Sequence, residues 1–112
     1  MERIYDIDDF LFETEKFAFY PSANTGNMME GLYLTLGLTG ESGEVAEKVK
    51  KYVRDGSIDK ELLRKEIGDV FWYAVRLCQW AGASPSEVLT DNILKLKSRK
   101  ERGTLSGSGD TR

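Results

Sequence analysis

The sequence lacks histidine altogether and contains one cysteine and two prolines in 112 residues. Without imidazole, a Ser/His/Asp or Cys/His triad, a histidine general base and a zinc site with nitrogen ligands are excluded. Because Cys78 is alone, no intrachain disulfide can form, which fits a cytoplasmic location. Any catalysis must therefore depend on carboxylates, cations and a bound metal.

The sequence also lacks a long apolar run and a strong excess of charge. Its most apolar stretch is DVFWYAVRLCQWAGA, which is too short and too polar to span a bilayer. The acidic N-terminus has no apolar segment typical of a signal peptide. The net charge of −3 is too mild to indicate a nucleic-acid or membrane partner. We therefore expect a single cytoplasmic domain that binds neither nucleic acid nor membrane.

Helix-boundary signals indicate an all-α chain. The stretch Ser84-Pro85-Ser86-Glu87 has the pattern of a capping box with proline at the first helical position. No segment alternates with period two, so no strand is predicted. The predicted helices cover 7–20, 28–54, 59–81 and 84–101. We expect a four-helix bundle in residues 1–102, followed by a flexible Gly/Ser-rich tail over 103–112.

Glycines interrupt the second predicted helix at positions 31, 37, 40 and 43. Each costs about 1 kcal/mol relative to alanine in a helix interior. They indicate a bend, a close approach to another helix, or a break near 37–40.

Acidic residues recur at helical spacing on two consecutive helices. Glu41 and Glu44 share one face, and Glu66 and Asp69 share a face of the next helix. A solvated surface explains Glu44 in part, because Lys48 follows it by four residues. It explains Glu41 and Glu66 poorly, because apolar residues or glycine stand one turn away from them. Four converging acids with no His or Cys favour Mg²⁺ or Mn²⁺.

The last helix carries a polar stripe, and the third carries aromatics. Asn92, Lys95 and Arg99 lie on one face and are suited to bind phosphate. The alternative is that the basic residues only complement the helix dipole at the C-terminus of the helix. Most of the aromatics are expected in the core or an interface. Trp72 and Tyr73 follow Asp69 by about one turn, which allows one of them to face a base or ribose.

Three motifs in this order resemble a known family. The stretches GLTGESGEVAEKVKK, KEIGDVFWY and DNILKLKSRKERG are similar to those of the MazG-type, all-α nucleoside triphosphate pyrophosphohydrolases. The resemblance covers about residues 30–112 and extends to small MazG-like proteins of phages and bacteria. It implies a helical bundle that forms a homodimer or a dimer of dimers (homotetramer), with the site lined partly by the neighbouring subunit. For a phage-encoded chain, the location would be the host cytoplasm.

The resemblance also implies roles for individual residues. The metal ligands for Mg²⁺, which Mn²⁺ can replace, would be Glu41, Glu44, Glu66 and Asp69. The metal would hold the triphosphate and activate water for attack at the α-phosphorus, giving a nucleoside monophosphate and pyrophosphate. Glu41 or Glu44 would accept the proton of that water. The residues implied for substrate binding are Lys48, Asn92, Lys95 and Arg99.

The expected function is therefore an NTP or dNTP pyrophosphohydrolase that controls or cleans the nucleotide pool. The alternative is a non-catalytic helical binding module that retains the acidic motif. The presence of all four expected acids favours the enzyme.

Overall fold

The computed structural model describes residues 2–103 and contains four α-helices and a short 3₁₀ turn, with no strand in this range. The helices are α1 (Ile7–Thr14), α2 (Met28–Asp55), α3 (Lys60–Trp80) and α4 (Pro85–Glu101), and the 3₁₀ turn is Glu15–Phe17. The predicted all-α class is confirmed. The predicted tail over 103–112 lies, apart from Gly103, outside the described residues.

The observed ends of α2, α3 and α4 agree with the prediction to within one residue, because local capping signals set them. Asn27 accepts a hydrogen bond from the Glu30 amide at the start of α2, and Gly56 ends that helix in the left-handed conformation. Ser84 and Glu87 form the predicted capping box of α4.

The first predicted helix, 7–20, is wrong at its C-terminal end. The α-helix stops at Thr14 and continues as a 3₁₀ turn that ends at Phe17. The physical reason is a long-range contact, because the Arg76 guanidinium on α3 donates hydrogen bonds to Glu15 in this turn and to Tyr20 beyond it. Tertiary bonds to a buried charge outweigh the local helical pattern.

Helices α2 and α3 form an antiparallel hairpin at the centre of the fold, and two glycines let them approach closely. A Cβ atom on Gly37 would stand 2.2 Å from the Tyr73 ring, and one on Gly31 would stand 2.3 Å from the Trp80 ring. Of the three interpretations of the glycines, the close approach is confirmed at these two positions. The break near 37–40 is wrong, because α2 is continuous through it.

The fully buried apolar core of the described residues is small and lies between α2 and α3. It contains Leu34 and Val75. Helix α4 packs against α1 and α3, and Asp8 near the start of α1 accepts hydrogen bonds from the backbone and side chain of Ser86. Among the described helices, none combines the length and the apolar composition needed to cross a membrane.

Candidate active site

Carboxylates from the two central helices meet at one point. One oxygen from each of Glu41, Glu66 and Asp69 lies within 4.8 Å of the corresponding oxygens of the other two. The close contact of Gly37 with Tyr73 explains this meeting. Glu41 follows Gly37 by four residues on α2, and Asp69 precedes Tyr73 by four on the antiparallel α3. Glu41 and Asp69 therefore each lie about one helical turn from the Gly37–Tyr73 contact, and they face each other across the two helices.

The three carboxylates repel one another, and Glu41 shows this most clearly. Partial burial raises the pKa of Glu41, and the negative charges of Asp69, Glu66 and Glu44 raise it further. Glu41 and Glu66 are half-buried, whereas Asp69 is exposed and leaves the cluster open to solvent. The donor set consists of oxygen atoms held on two rigid helices, which suits a hard cation such as Mg²⁺ or Mn²⁺.

The other predicted residues of α2 lie further along the same helix. Glu44 is exposed one turn beyond Glu41 and stands outside the group of three converging oxygens, although its charge contributes to the raised pKa of Glu41. Lys48 is half-buried one turn further on.

An aromatic cavity of about 290 Å³ adjoins the acids. Its lining residues are Phe17, Glu41, Asp69, Trp72 and Tyr73. Trp72 and Tyr73, one of which was expected to face a base or ribose, both line this cavity. Phe17 was missed, because it lies far from the acids in sequence and no local motif marks it.

The predicted residues of α4 are placed elsewhere in the single chain. Asn92 and Lys95 line a separate depression of about 270 Å³ together with Val88 and Asp91, and Arg99 is buried. Helix α4 has no packing contact with α2 in the described part of the chain. One copy therefore does not bring this stripe together with the acids of α2.

A buried arginine is the other feature that the sequence pattern did not reveal. Arg76 is 1% exposed, and its guanidinium donates hydrogen bonds to Glu15, Tyr20 and Asn24. Glu30 completes this network by accepting bonds from the Tyr20 hydroxyl at 2.6 Å and from the backbone amides of residues 24 and 26. The network fastens residues 15–26 onto α2 and α3. An arginine within an amphipathic helix pattern gives no signal that it is buried.

Comparison with known proteins identifies the family of this arrangement. Gene 37 protein of Mycobacterium phage L5 is 44% identical over 112 residues, which cover 95% of this chain and 98% of the phage protein. No solved structure matches. The sequence model of the MazG nucleotide pyrophosphohydrolase domain matches residues 30–104. This span includes the four candidate metal ligands and the polar stripe of α4. The chain therefore belongs to the MazG nucleotide pyrophosphohydrolase family.

Proposed function

We propose that the protein is a Mg²⁺-dependent pyrophosphohydrolase that cleaves NTPs or dNTPs at the α-phosphorus. Its products are the nucleoside monophosphate and pyrophosphate. The observation that carries the proposal is the group of three carboxylates, from Glu41, Glu66 and Asp69, beside an aromatic cavity. Membership in the family supports the same class of reaction.

The acids would hold the metal, with Glu41, Glu66 and Asp69 as the converging ligands and Glu44 beside them. When bound, the ion supplies neutralisation of phosphate charge and increases the acidity of water. Glu44 lies outside the converging group and is exposed, so its carboxylate is available to accept a proton from water. The water oxygen forms a bond to the α-phosphorus while the bond to the bridging α–β oxygen breaks, and pyrophosphate leaves.

The polar residues of α4 would meet the acids only through a second copy of the chain. Lys48 lies on α2 near the acids, whereas Asn92 and Lys95 lie at the surface of α4 and Arg99 is buried within the chain. Helix α4 also exposes Leu89 and Ile93, which lie one turn apart on one face. A chain of this length normally buries a larger apolar core than the one described, so we propose a homodimer or a dimer of dimers in which α4 contributes to the partner's site.

The proposal is tested with purified protein and each NTP and dNTP, in Mg²⁺, in Mn²⁺ and in EDTA, with products separated by chromatography. Reaction in ¹⁸O-water should place the label in the monophosphate and leave pyrophosphate unlabelled. Glu41→Gln and Glu66→Gln should abolish turnover. The matched control is Glu47→Gln, since Glu47 lies on the same helix but pairs with Lys50.

Folded, metal-loaded protein that turns over no nucleotide would contradict the proposal. The acidic motif would then belong to a non-catalytic binding module. Turnover that persists in Glu41→Gln at the wild-type rate would place the activity elsewhere or in a contaminant.

A further inference from the structure

We infer that Phe17 forms one side of a nucleobase subsite and that the buried Arg76 positions it there. This inference rests on the proposed function, because it assigns the part of the nucleotide that occupies the aromatic cavity. It also gives a role in substrate binding to the segment before residue 30, which lies outside the matched family domain.

The cavity beside the acids has two chemically different sides. Glu41 and Asp69 provide the side that attracts a cation and, through it, phosphate. Phe17, Trp72 and Tyr73 provide rings, and rings accept flat heterocycles of any base by stacking. A volume of about 290 Å³ is at the lower end of the range for ligand cavities. It therefore suits the base and sugar, with the triphosphate extending over the acids.

Phe17 lacks the burial expected of a ring that serves only to stabilise the fold. Its side chain is 65% exposed, although it lines a concave surface. A ligand seated in the cavity would cover part of this exposed area. The exposed Phe17 ring shares its cavity with Glu41 and Asp69, whereas the equally exposed Phe12 ring lies in a depression apart from these acids.

The position of Phe17 depends on the residues that flank it. Arg76 binds Glu15 at 2.9 Å, two residues before Phe17, and the Tyr20 hydroxyl at 3.1 Å, three residues after it. Arg76 follows Trp72 by one turn of α3, so both lie on the same face of that helix. The Tyr20 ring also meets the Trp72 ring edge-on, with centroids 5.9 Å apart. The same bonds that fasten the 3₁₀ turn thus place Phe17 beside Trp72.

Affinity for two probes separates base recognition from phosphate binding. The first is a non-hydrolysable α,β-imido nucleoside triphosphate, and the second is inorganic triphosphate, which has no base or sugar. Both are titrated calorimetrically into wild-type protein with Mg²⁺. Phe17→Ala should weaken binding of the nucleotide analogue about tenfold, because it removes one stacking surface. Binding of inorganic triphosphate should stay within about twofold of wild type.

The matched control is Phe12→Ala. Phe12 is 67% exposed, almost the same as Phe17, but it lies on α1 in a different depression with Asp9 and Glu13. This variant should bind both probes as the wild type does. Equal loss of both probes in Phe17→Ala, or no loss in either, would overturn the inference. Wild-type protein that binds neither probe would instead overturn the proposed function, and the inference with it.

The positioning role of Arg76 is tested by a double-mutant cycle. Arg76→Met should also weaken binding of the nucleotide analogue selectively, and it should add little to the loss already caused by Phe17→Ala. If Arg76→Met does not fold by circular dichroism, Tyr20→Phe takes its place in the cycle, because it removes the hydroxyl that accepts hydrogen bonds from Arg76 and donates one to Glu30, with little change of volume. Losses that add fully, or that affect inorganic triphosphate equally, would contradict a positioning role.

Discussion

Glu15 and Arg76, 61 residues apart in the sequence, form an ion pair with 2.9 Å between Oε1 and Nη1, and the arginine side chain is completely buried. The guanidinium joins the N-terminal segment to the helix that carries Glu66 and Asp69. A charge removed from water in this way is stabilising only while its partners remain in place. The N-terminal segment and the acidic helix are therefore expected to lose their native arrangement together.

Replacement of Glu15 by glutamine should lower the free energy of unfolding by about 1–2 kcal/mol, because the buried Arg76 loses its anionic partner but keeps Tyr20 and Asn24. Urea denaturation followed by circular dichroism measures this change. The control is Glu13→Gln, which breaks the exposed pair with Lys16 and should cost about 0–1 kcal/mol. Equal losses in the two variants would contradict a special role for the buried pair.

Low pH should destabilise the protein by protonating the carboxylates that are hydrogen-bonded in the Arg76 network. Hydrogen bonds from Arg76 and Gln79 lower the pKa of Glu15 below its ordinary value of 4.5. Burial alone would raise the pKa of Glu30, but bonds from Tyr20 and two backbone amides outweigh it and lower that pKa as well.

Groups with a lowered folded pKa contribute stability that is present above the ordinary value and is lost as pH falls through the folded pKa. The free energy of unfolding should therefore decline below about pH 4.5, and Glu15→Gln should decline less steeply than wild type. Denaturation curves at successive pH values measure this slope. Parallel slopes for the two proteins would show that Glu15 does not titrate with folding.

Metal-free protein should become more stable when one of the crowded acids is neutralised. Glu41→Gln removes a carboxylate whose pKa is raised, first by burial and then by neighbouring negative charge, and should add about 0.5–1 kcal/mol in EDTA. Wild-type protein should gain thermal stability with Mg²⁺ or Mn²⁺, by about 2.7 kcal/mol at 100 times the dissociation constant. Glu41→Gln should lose most of that gain.

Thermal scans with and without metal measure both effects, with Glu47→Gln as the control that keeps the metal response. A Glu41→Gln variant that is less stable than wild type in EDTA would show that Glu41 stabilises the fold without a cation.

Two glycines of α2 should respond to alanine in opposite directions. Gly37→Ala places a Cβ at 2.2 Å from the Tyr73 ring and should cost about 1–3 kcal/mol as the ring and helices shift apart. Gly40→Ala meets open space and should stabilise the protein by about 0.5–1 kcal/mol through helix propensity. Urea denaturation compares them, and a loss of stability in Gly40→Ala would indicate a contact with another copy of the chain.

Association of copies should depend on the exposed face of α4. Ile93→Lys places a charge at an apolar position that is proposed to lie in the interface, so it should shift the protein toward monomer in size-exclusion chromatography with light scattering. Activity should fall with it, because Asn92 and Lys95 would no longer reach the partner's site. Ser57→Lys, on the exposed turn between α2 and α3, adds the same charge and should leave both unchanged. A monomeric wild-type protein at micromolar concentration would contradict the proposal.

The sequence predicted the features that depend on neighbouring residues. The capping box at Ser84 was predicted from its local pattern and is present in the structure, and Asn27 and Asp59 likewise cap the starts of α2 and α3 by local hydrogen bonds. Helical spacing on two antiparallel helices predicted that four acids converge. Glu41, Glu66 and Asp69 lie together, and Glu44 lies outside their group.

Features set by distant residues were not predictable in this way. The end of α1 and the position of Phe17 depend on Arg76, which contacts residues more than fifty positions away. Periodicity describes which face of a helix a residue occupies and contains no information on which distant polar group it meets. Helical spacing also did not indicate that one copy of the chain keeps the α4 stripe apart from the acids of α2.

Gly37 connects the packing of the two central helices to the geometry of the acidic cluster. Only a hydrogen atom separates the backbone of α2 from the Tyr73 ring, so this residue determines the spacing of the two helices as well as their register. In this chain, a bulkier residue at position 37 would push α3 away from α2 and is expected to hold Glu41 and Asp69 too far apart to share one ion. The metal site is therefore expected to depend on a residue that contributes no ligand atom to it.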